Sequence, residues 1–155
     1  MSAPEIATLD AGKQKVALQT TVSAPVSDVF ALVSNPHRHG EIDGSGTVRD
    51  TVSGPDRLEK GATFSVSMKQ FGLPYKITST VTAFEADRLV EWQHPMGHKW
   101  RWEFVETEAG HTQVTETFDY STAKSPKALE LFGQPGKNAE GIRGTLRGLA
   151  ERFGH

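Results

Sequence analysis

The stretch from Trp92 to Tyr120 constrains the fold more than any other part of this chain. It holds two runs that alternate with period two. Trp100, Trp102 and Phe104 fall on one face and Arg101, Glu103 and Val105 on the other. In the second run Val114, Glu116, Phe118 and Tyr120 share a face, opposite Thr115, Thr117 and Asp119. Successive side chains of a strand point to opposite sides, so such runs read as antiparallel strands with one buried face and one solvated face. All 3 tryptophans of the protein, Trp92, Trp100 and Trp102, lie in this stretch. A face so rich in indole and phenyl rings requires a cover.

The same alternation recurs upstream. Gln14 to Ser23 places Val16, Leu18, Thr20 and Val22 together, and Ser23-Ala24-Pro25 ends that strand and opens a short helix with Val26, Val29, Phe30 and Val33 at helical spacing. Asn35-Pro36 stops it, and His37 to Ile42 reads as a second short helix. Asp43-Gly44-Ser45-Gly46 reads as a turn into a strand over Thr47 to Ser53. Further strands follow with Phe64, Val66 and Met68 in phase, then Tyr75, Ile77, Ser79 and Val81, then Val90, Trp92 and His94. Lys127 to Phe132 can begin a helix that Gly133-Gln134-Pro135-Gly136 must break. Asn138 reads as the cap of a final helix, with Ile142, Leu146, Leu149 and Phe153 on one face. Strand, two short helices, six strands and a long helix without βαβ alternation make an α+β chain. Residues 1–13 read as a flexible N-terminal leader and 14–155 as one domain. A chain of 155 residues can bury roughly 70% of its unfolded surface.

Composition narrows the function. Lys+Arg 17 against Asp+Glu 19 gives a net charge of -2, so no bulk positive field recruits nucleic acid. With 0 cysteines, thiol nucleophiles, disulfides and cysteine-type zinc sites are excluded. No apolar run approaches the ~18 residues of a membrane span, and the first 13 residues do not read as a signal peptide. The expected location is cytoplasmic. His37 and His39, and His94 and His98, have no zinc-site spacing, and no metal or other cofactor is expected.

Several segments resemble a known family. V-A-L-Q-T-T-V-S-A-P-V-S-D-V-F-A-L-V-S-N-P at 16–36, D-R-L-V-E-W at 87–92, W-R-W-E-F at 100–104, G-H-T-Q-V-T-E-T-F at 110–118 and L-R-G-L-A-E-R-F at 146–153 are similar to the START-like, Bet v 1-like (SRPBCC) superfamily. The likeness is to its bacterial polyketide cyclase/dehydrase-type members. It implies a helix-grip fold, in which seven curved antiparallel strands wrap a long C-terminal helix and enclose an apolar cavity. Many relatives carry an aspartate and a tryptophan after the first helix; Asn35 and His37-Arg38-His39-Gly40 stand there instead. On the strand phases above, the cavity wall is expected from Leu18, Phe64, Val66, Met68, Tyr75, Ile77, Ser79, Val81, Val90, Trp92, Trp102, Phe104, Phe118, Tyr120, Ile142, Leu146 and Leu149. Glu116 and His94 fall in phase with these rings and are the candidate acid and base. The expected partner is a small or medium hydrophobic ligand: a lipid, polyketide or aromatic compound. The alternatives are a cyclase or dehydratase using Glu116 and His94, and an interaction or regulatory module with a vestigial cavity.

Overall fold

The computed structural model describes residues 4–42, 48–70 and 72–155; the side chains at 40, 48–52 and 68–70 lie outside that description, as do the expected turn at Asp43–Gly46 and the side chain of Met68. The elements are β1 (Ala7–Leu9), β2 (Lys15–Val22), α1 (Val26–Val33), a 3-10 segment (Pro36–Glu41), β3 (Val48–Ser53), β4 (Thr63–Gln70), β5 (Leu73–Glu85), β6 (Leu89–Gln93), β7 (Lys99–Glu108), β8 (His111–Asp119), α2 (Pro126–Leu131) and α3 (Gln134–Phe153). All strand pairs are antiparallel in one open sheet of order β1-β2-β8-β7-β6-β5-β4-β3. The long C-terminal helix lies across it, as the helix-grip expectation requires.

Three details differ from the sequence expectation. The sheet has eight strands rather than seven, because Ala7–Leu9, inside the segment read as a leader, pairs with Ala17–Gln19 at the edge of β2. The second short helix is a 3-10 segment, started by Asn35, whose side chain accepts from the His37 backbone N–H (3.0 Å). The final helix has Gly133 rather than Asn138 at its N-cap and starts at Gln134. Gly133, at φ 72°, turns the chain there, and Pro135 sits in the first turn, where a missing N–H costs nothing. Asn138 lies inside the helix and accepts from Gln134 Nε2 at 2.8 Å.

The core forms where α1 and α3 meet the concave sheet. Val29, Phe30, Leu32 and Val33 of α1 are buried, as are Ile142, Leu146, Leu149 and Ala150 of α3. α3 closely approaches β2 and β8, and α1 approaches β7 and β8. Segments remote in sequence are fastened together. Ser23 N–H donates to the Gly154 carbonyl (2.8 Å), Thr112 Oγ1 to the Ala24 carbonyl (2.8 Å), and Arg143 Nη2 reaches Thr8 Oγ1 (3.2 Å). Gly148 of α3 faces the Ile42 backbone, where an added Cβ would lie 3.4 Å from a carbonyl oxygen. An added Cβ would make ordinary van der Waals contact there, so the helix and the 3-10 segment lie side by side at that point.

Phe30 is the hinge of this packing. It is 1% exposed and meets Phe84 and Phe104 edge-on, with centroids 5.4 and 5.2 Å apart. Phe30→Ala should therefore lower the unfolding free energy by about 3–5 kcal/mol, read from urea denaturation. A loss below about 1 kcal/mol would mean that α1 is not seated on the sheet as described.

Candidate functional site

The concave face is built by strand register. One row crosses four strands: Leu18 opposite Glu116, Glu116 opposite Trp102, Trp102 opposite Val90. The next row towards the β6–β7 turn contains Val16, Phe118, Trp100, Trp92 and Val81. Because the alternation is strict, Arg101, Glu91, Lys99 and Thr117 go to the opposite, convex face. There Glu91 accepts from Arg101 Nη1 (3.1 Å) and Thr82 Oγ1 (2.9 Å), with Lys99 Nζ at 3.9 Å. The cations of β7 are thus tied down outside.

Most of the expected wall residues face inward. Leu18, Phe64, Val66, Ser79, Val81, Val90, Trp102, Phe104, Phe118, Tyr120, Ile142, Leu146 and Leu149 are buried. Trp92 and Ile77 are half-buried. Tyr75 is 38% exposed, because the β4–β5 hairpin extends beyond the part of the sheet that the helices cover. Past Val81 the pairing shifts by a bulge, which changes the phase of β5 and turns Phe84 towards Phe30.

Two polar groups stand in the central row. Trp102 is 3% exposed, and its indole Nε1 is buried with no hydrogen-bond partner among the described residues. Glu116, its cross-strand neighbour, is 6% exposed. A buried donor lacking an acceptor costs about 1–3 kcal/mol. Buried Trp N–H groups ordinarily find a partner, so this indole is an unsatisfied donor on the concave face.

His94 lies elsewhere. Its backbone N–H donates to the His98 carbonyl (2.8 Å) at the end of the β6–β7 hairpin, and its ring stacks on His98 with centroids 4.2 Å apart. By strand geometry its position is roughly 16 Å from that of Glu116, four residues along and two strands across. The structure does not bring the two expected acid–base residues into one pair. His94 Nδ1 accepts from the Met96 N–H (3.0 Å), which an imidazole nitrogen can do only without a proton. Burial lowers its pKa, and burial followed by the nearby His94 lowers that of His98 to about 4. His98 in turn packs against Phe118 (5.3 Å) and Trp100 (6.3 Å). This aromatic end of the concave face is therefore uncharged at neutral pH.

The other wall carries a histidine that sequence reading missed. His39, in the 3-10 segment, stacks on Trp92 (5.2 Å, 23°) and meets Phe64 edge-on (5.8 Å), while its Nε2 lies 2.7 Å from the Val33 carbonyl. No local periodicity marks it, since its partners come from β4 and β6. Glu41 of the same segment is gripped by Arg38 Nε (3.1 Å) and by Arg152 Nη1 of α3 (2.7 Å). The Arg38 hydrogen bond, then the charges of both arginines, hold its carboxyl below the usual range.

Comparison with known proteins gives a consistent picture. Residues 13–154 match the family described as polyketide cyclase / dehydrase and lipid transport. The chain is 47% identical over 152 residues to "Uncharacterized protein Rv0088" of Mycobacterium tuberculosis, covering 96% of this chain and 68% of that protein. Among solved structures it is similar to protein Ms6760 from Mycobacterium smegmatis, with TM-score 0.65, 14% identity, and 94% and 99% of the two chains covered. The AHSA1-like protein from Aeromonas hydrophila superposes with TM-score 0.60 at 19% identity over 90% and 94% of the chains. At those identities the structural likeness speaks to the fold.

The histidine pair gives a pH signature. In the unfolded chain His98 titrates near its ordinary value of 6.5, and in the folded chain near 4. Between these values the unfolded state binds the proton and the folded state does not. Stability should thus be full above pH 6.5 and fall as pH drops towards 4. His98→Gln should flatten that fall relative to wild type in urea titrations across this range. Identical slopes would show that His98 is not held neutral by its surroundings.

Proposed function

We propose a function from one premise: the chain belongs to the family of polyketide cyclase / dehydrase and lipid transport proteins, and on that premise it is a container for a small or medium hydrophobic ligand held between the concave sheet and α3. The observation that carries this reading is the partnerless indole N–H of Trp102, 3% exposed on a face of aromatic and aliphatic side chains. Binding pockets combine an apolar wall with a few placed polar groups, and Trp102 and Glu116 stand where such groups would orient a guest. α3 closely approaches β2 and β8, so the proposed seat is opposite, over β4 to β7. The buried apolar side chains in that region are Phe64, Val66, Val81 and Val90. Burial of guest surface supplies affinity at about 25 cal/mol per Å².

A cyclase or dehydratase reaction through Glu116 and His94 would need both groups at one reacting centre. Their separation, roughly 16 Å by strand geometry, favours orientation of a guest over proton transfer between these two residues.

The test is a titration with the neutral apolar probe N-phenyl-1-naphthylamine. Wild type should give saturable fluorescence enhancement. Val66→Trp, which would occupy the proposed seat over β4, should weaken binding at least tenfold while its unfolding free energy changes by the roughly 1–3 kcal/mol of overpacking. Absence of saturable binding by wild type, or full binding by a folded Val66→Trp, would refute the container.

A further inference from the structure

We propose that the end of the sheet carrying the β6–β7 turn, the β4–β5 hairpin and α2 is a docking surface for an anionic lipid bilayer. The surface rests on its own exposed residues and not on the container reading.

Strand register brings these parts to one end. Lys99 of β7 lies opposite both Gln93 of β6 and Asp119 of β8, so the β6–β7 turn and the exit from β8 leave the sheet together. Thr80 pairs with Gln93, so residues 73–79 of β5 run on past that end. Adjacent strands are about 4.8 Å apart, which sets β5 roughly 15 Å from β8. The segment leading into α2 is stitched to the same end. Lys124 N–H donates to the Met96 carbonyl (2.8 Å), Thr122 Oγ1 to the Gly97 carbonyl (2.7 Å) and Tyr120 N–H to the Gln14 carbonyl (3.0 Å).

This end holds Leu73, Tyr75, Met96, Leu131 and Phe132, five of the 6 large apolar side chains exposed among the described residues. The sixth, Val105, lies on the convex face of β7. Exposed apolar side chains scattered singly are ordinary, whereas a group of them marks an interaction site. Leu131 and Phe132 are 82% and 73% exposed at the close of α2, a helix with no buried residue.

Lysines accompany them. Lys76 follows Tyr75, Lys124 and Lys127 flank the start of α2, Lys137 lies in the first turns of α3, and Lys13 lines an open notch with Gln14, Lys127, Glu130 and Leu131. All five lysines are exposed, and none forms an ion pair among the described residues. The carboxylates near them are Asp10, Asp119 and Glu130. Asp10 accepts from the Gly12 N–H, and Asp119 from the Ser121 N–H and hydroxyl. Positive charge thus prevails at this end of a chain whose net charge is -2.

An anionic bilayer takes both components: its phosphates meet the ammonium groups, and its acyl boundary receives the apolar side chains. A second copy fits worse, because a two-fold contact sets the same patch against itself and lysine against lysine. A nucleic acid would engage the lysines and leave Leu131 and Phe132 in water. No helix among the described residues is long and apolar enough to cross a membrane, so the contact is with the bilayer surface.

The experiment is vesicle flotation at pH 7.5, with vesicles of about 70% phosphatidylcholine and 30% phosphatidylglycerol against phosphatidylcholine alone. Wild type should float with the anionic vesicles, bind the neutral ones roughly tenfold more weakly, and be released by raising NaCl from about 50 to about 500 mM. Leu131→Ser/Phe132→Ser should weaken anionic binding roughly tenfold and keep the wild-type urea midpoint, since neither side chain is buried. Lys124→Gln/Lys127→Gln should weaken it about fivefold per lysine. Val105→Ser should bind like wild type. Wild type that stays behind when anionic vesicles float, or Leu131→Ser/Phe132→Ser that floats as well as wild type, would overturn the proposal. Sedimentation velocity reads the rival occupant: a dimer that Leu131→Ser/Phe132→Ser dissociates would assign the patch to a second copy and overturn it too. Vesicle binding needs no guest, so its failure is distinct from failure of the container.

Discussion

Everything in this structure depends on the register that lines up Leu18, Glu116, Trp102 and Val90 across four strands. A slip of one residue would bring Arg101 and Thr117 inside and turn the indole to solvent. Both faces resist such a slip. Inside, the aromatic row of Trp92, Trp100 and Phe118 needs cover from water. Outside, the cross-strand pair of Glu91 and Arg101, reinforced by Thr82 and Lys99, is made only in the correct register. The same alternation that buries the rings sends Lys99 and Arg101 to the convex face, onto Glu91.

The walls of the interior come from different parts of the chain and are fastened differently. α3 meets β2 and β8, while the 3-10 segment brings His39 over Trp92 and Phe64. Glu41 ties that segment to Arg152 on α3 at 2.7 Å, and Gly148 lies against the Ile42 backbone. This joint is ionic and half-exposed, whereas the α1 side is closed by Phe30, Phe84 and Phe104. Exposed ion pairs contribute little, typically under about 1 kcal/mol. On energetic grounds the joint between the 3-10 segment and α3 is the weaker boundary of the two.

Much of this was legible in the sequence, for physical reasons. Strands with one wet face advertise themselves by period two, and β2, β4 and β6 to β8 all do so; the α+β order and the helix-grip likeness followed from them. β1 escaped because three residues are too few to show a period, and their strand state comes from pairing with β2. α3 was read five residues short because Gly133-Gln134-Pro135-Gly136 looks like a breaker, while a proline in the first turn breaks nothing. Tyr75 shares the phase of Ser79 yet is exposed, since alternation shows which face a residue takes and not how far the cover extends. His94 and Glu116 share a face in the same sense, but strand phase carries no information on distance along and across the sheet. His39 could not be found at all from local pattern, because its neighbours are remote in sequence. The missing partner of Trp102 is likewise visible only once the strands are paired.

The most direct test of the account is the indole region of a ¹H–¹⁵N spectrum, where the 3 tryptophans give three Nε1–H signals. Assigned by single Trp→Phe replacements, the Trp102 signal should lie at the position of an N–H without an acceptor in the empty protein. It should move downfield on saturation with methyl 2-naphthoate, further than those of Trp92 and Trp100. A Trp102 signal that stays in place while the ester saturates the protein would contradict the central claim that this indole is the anchor of the interior.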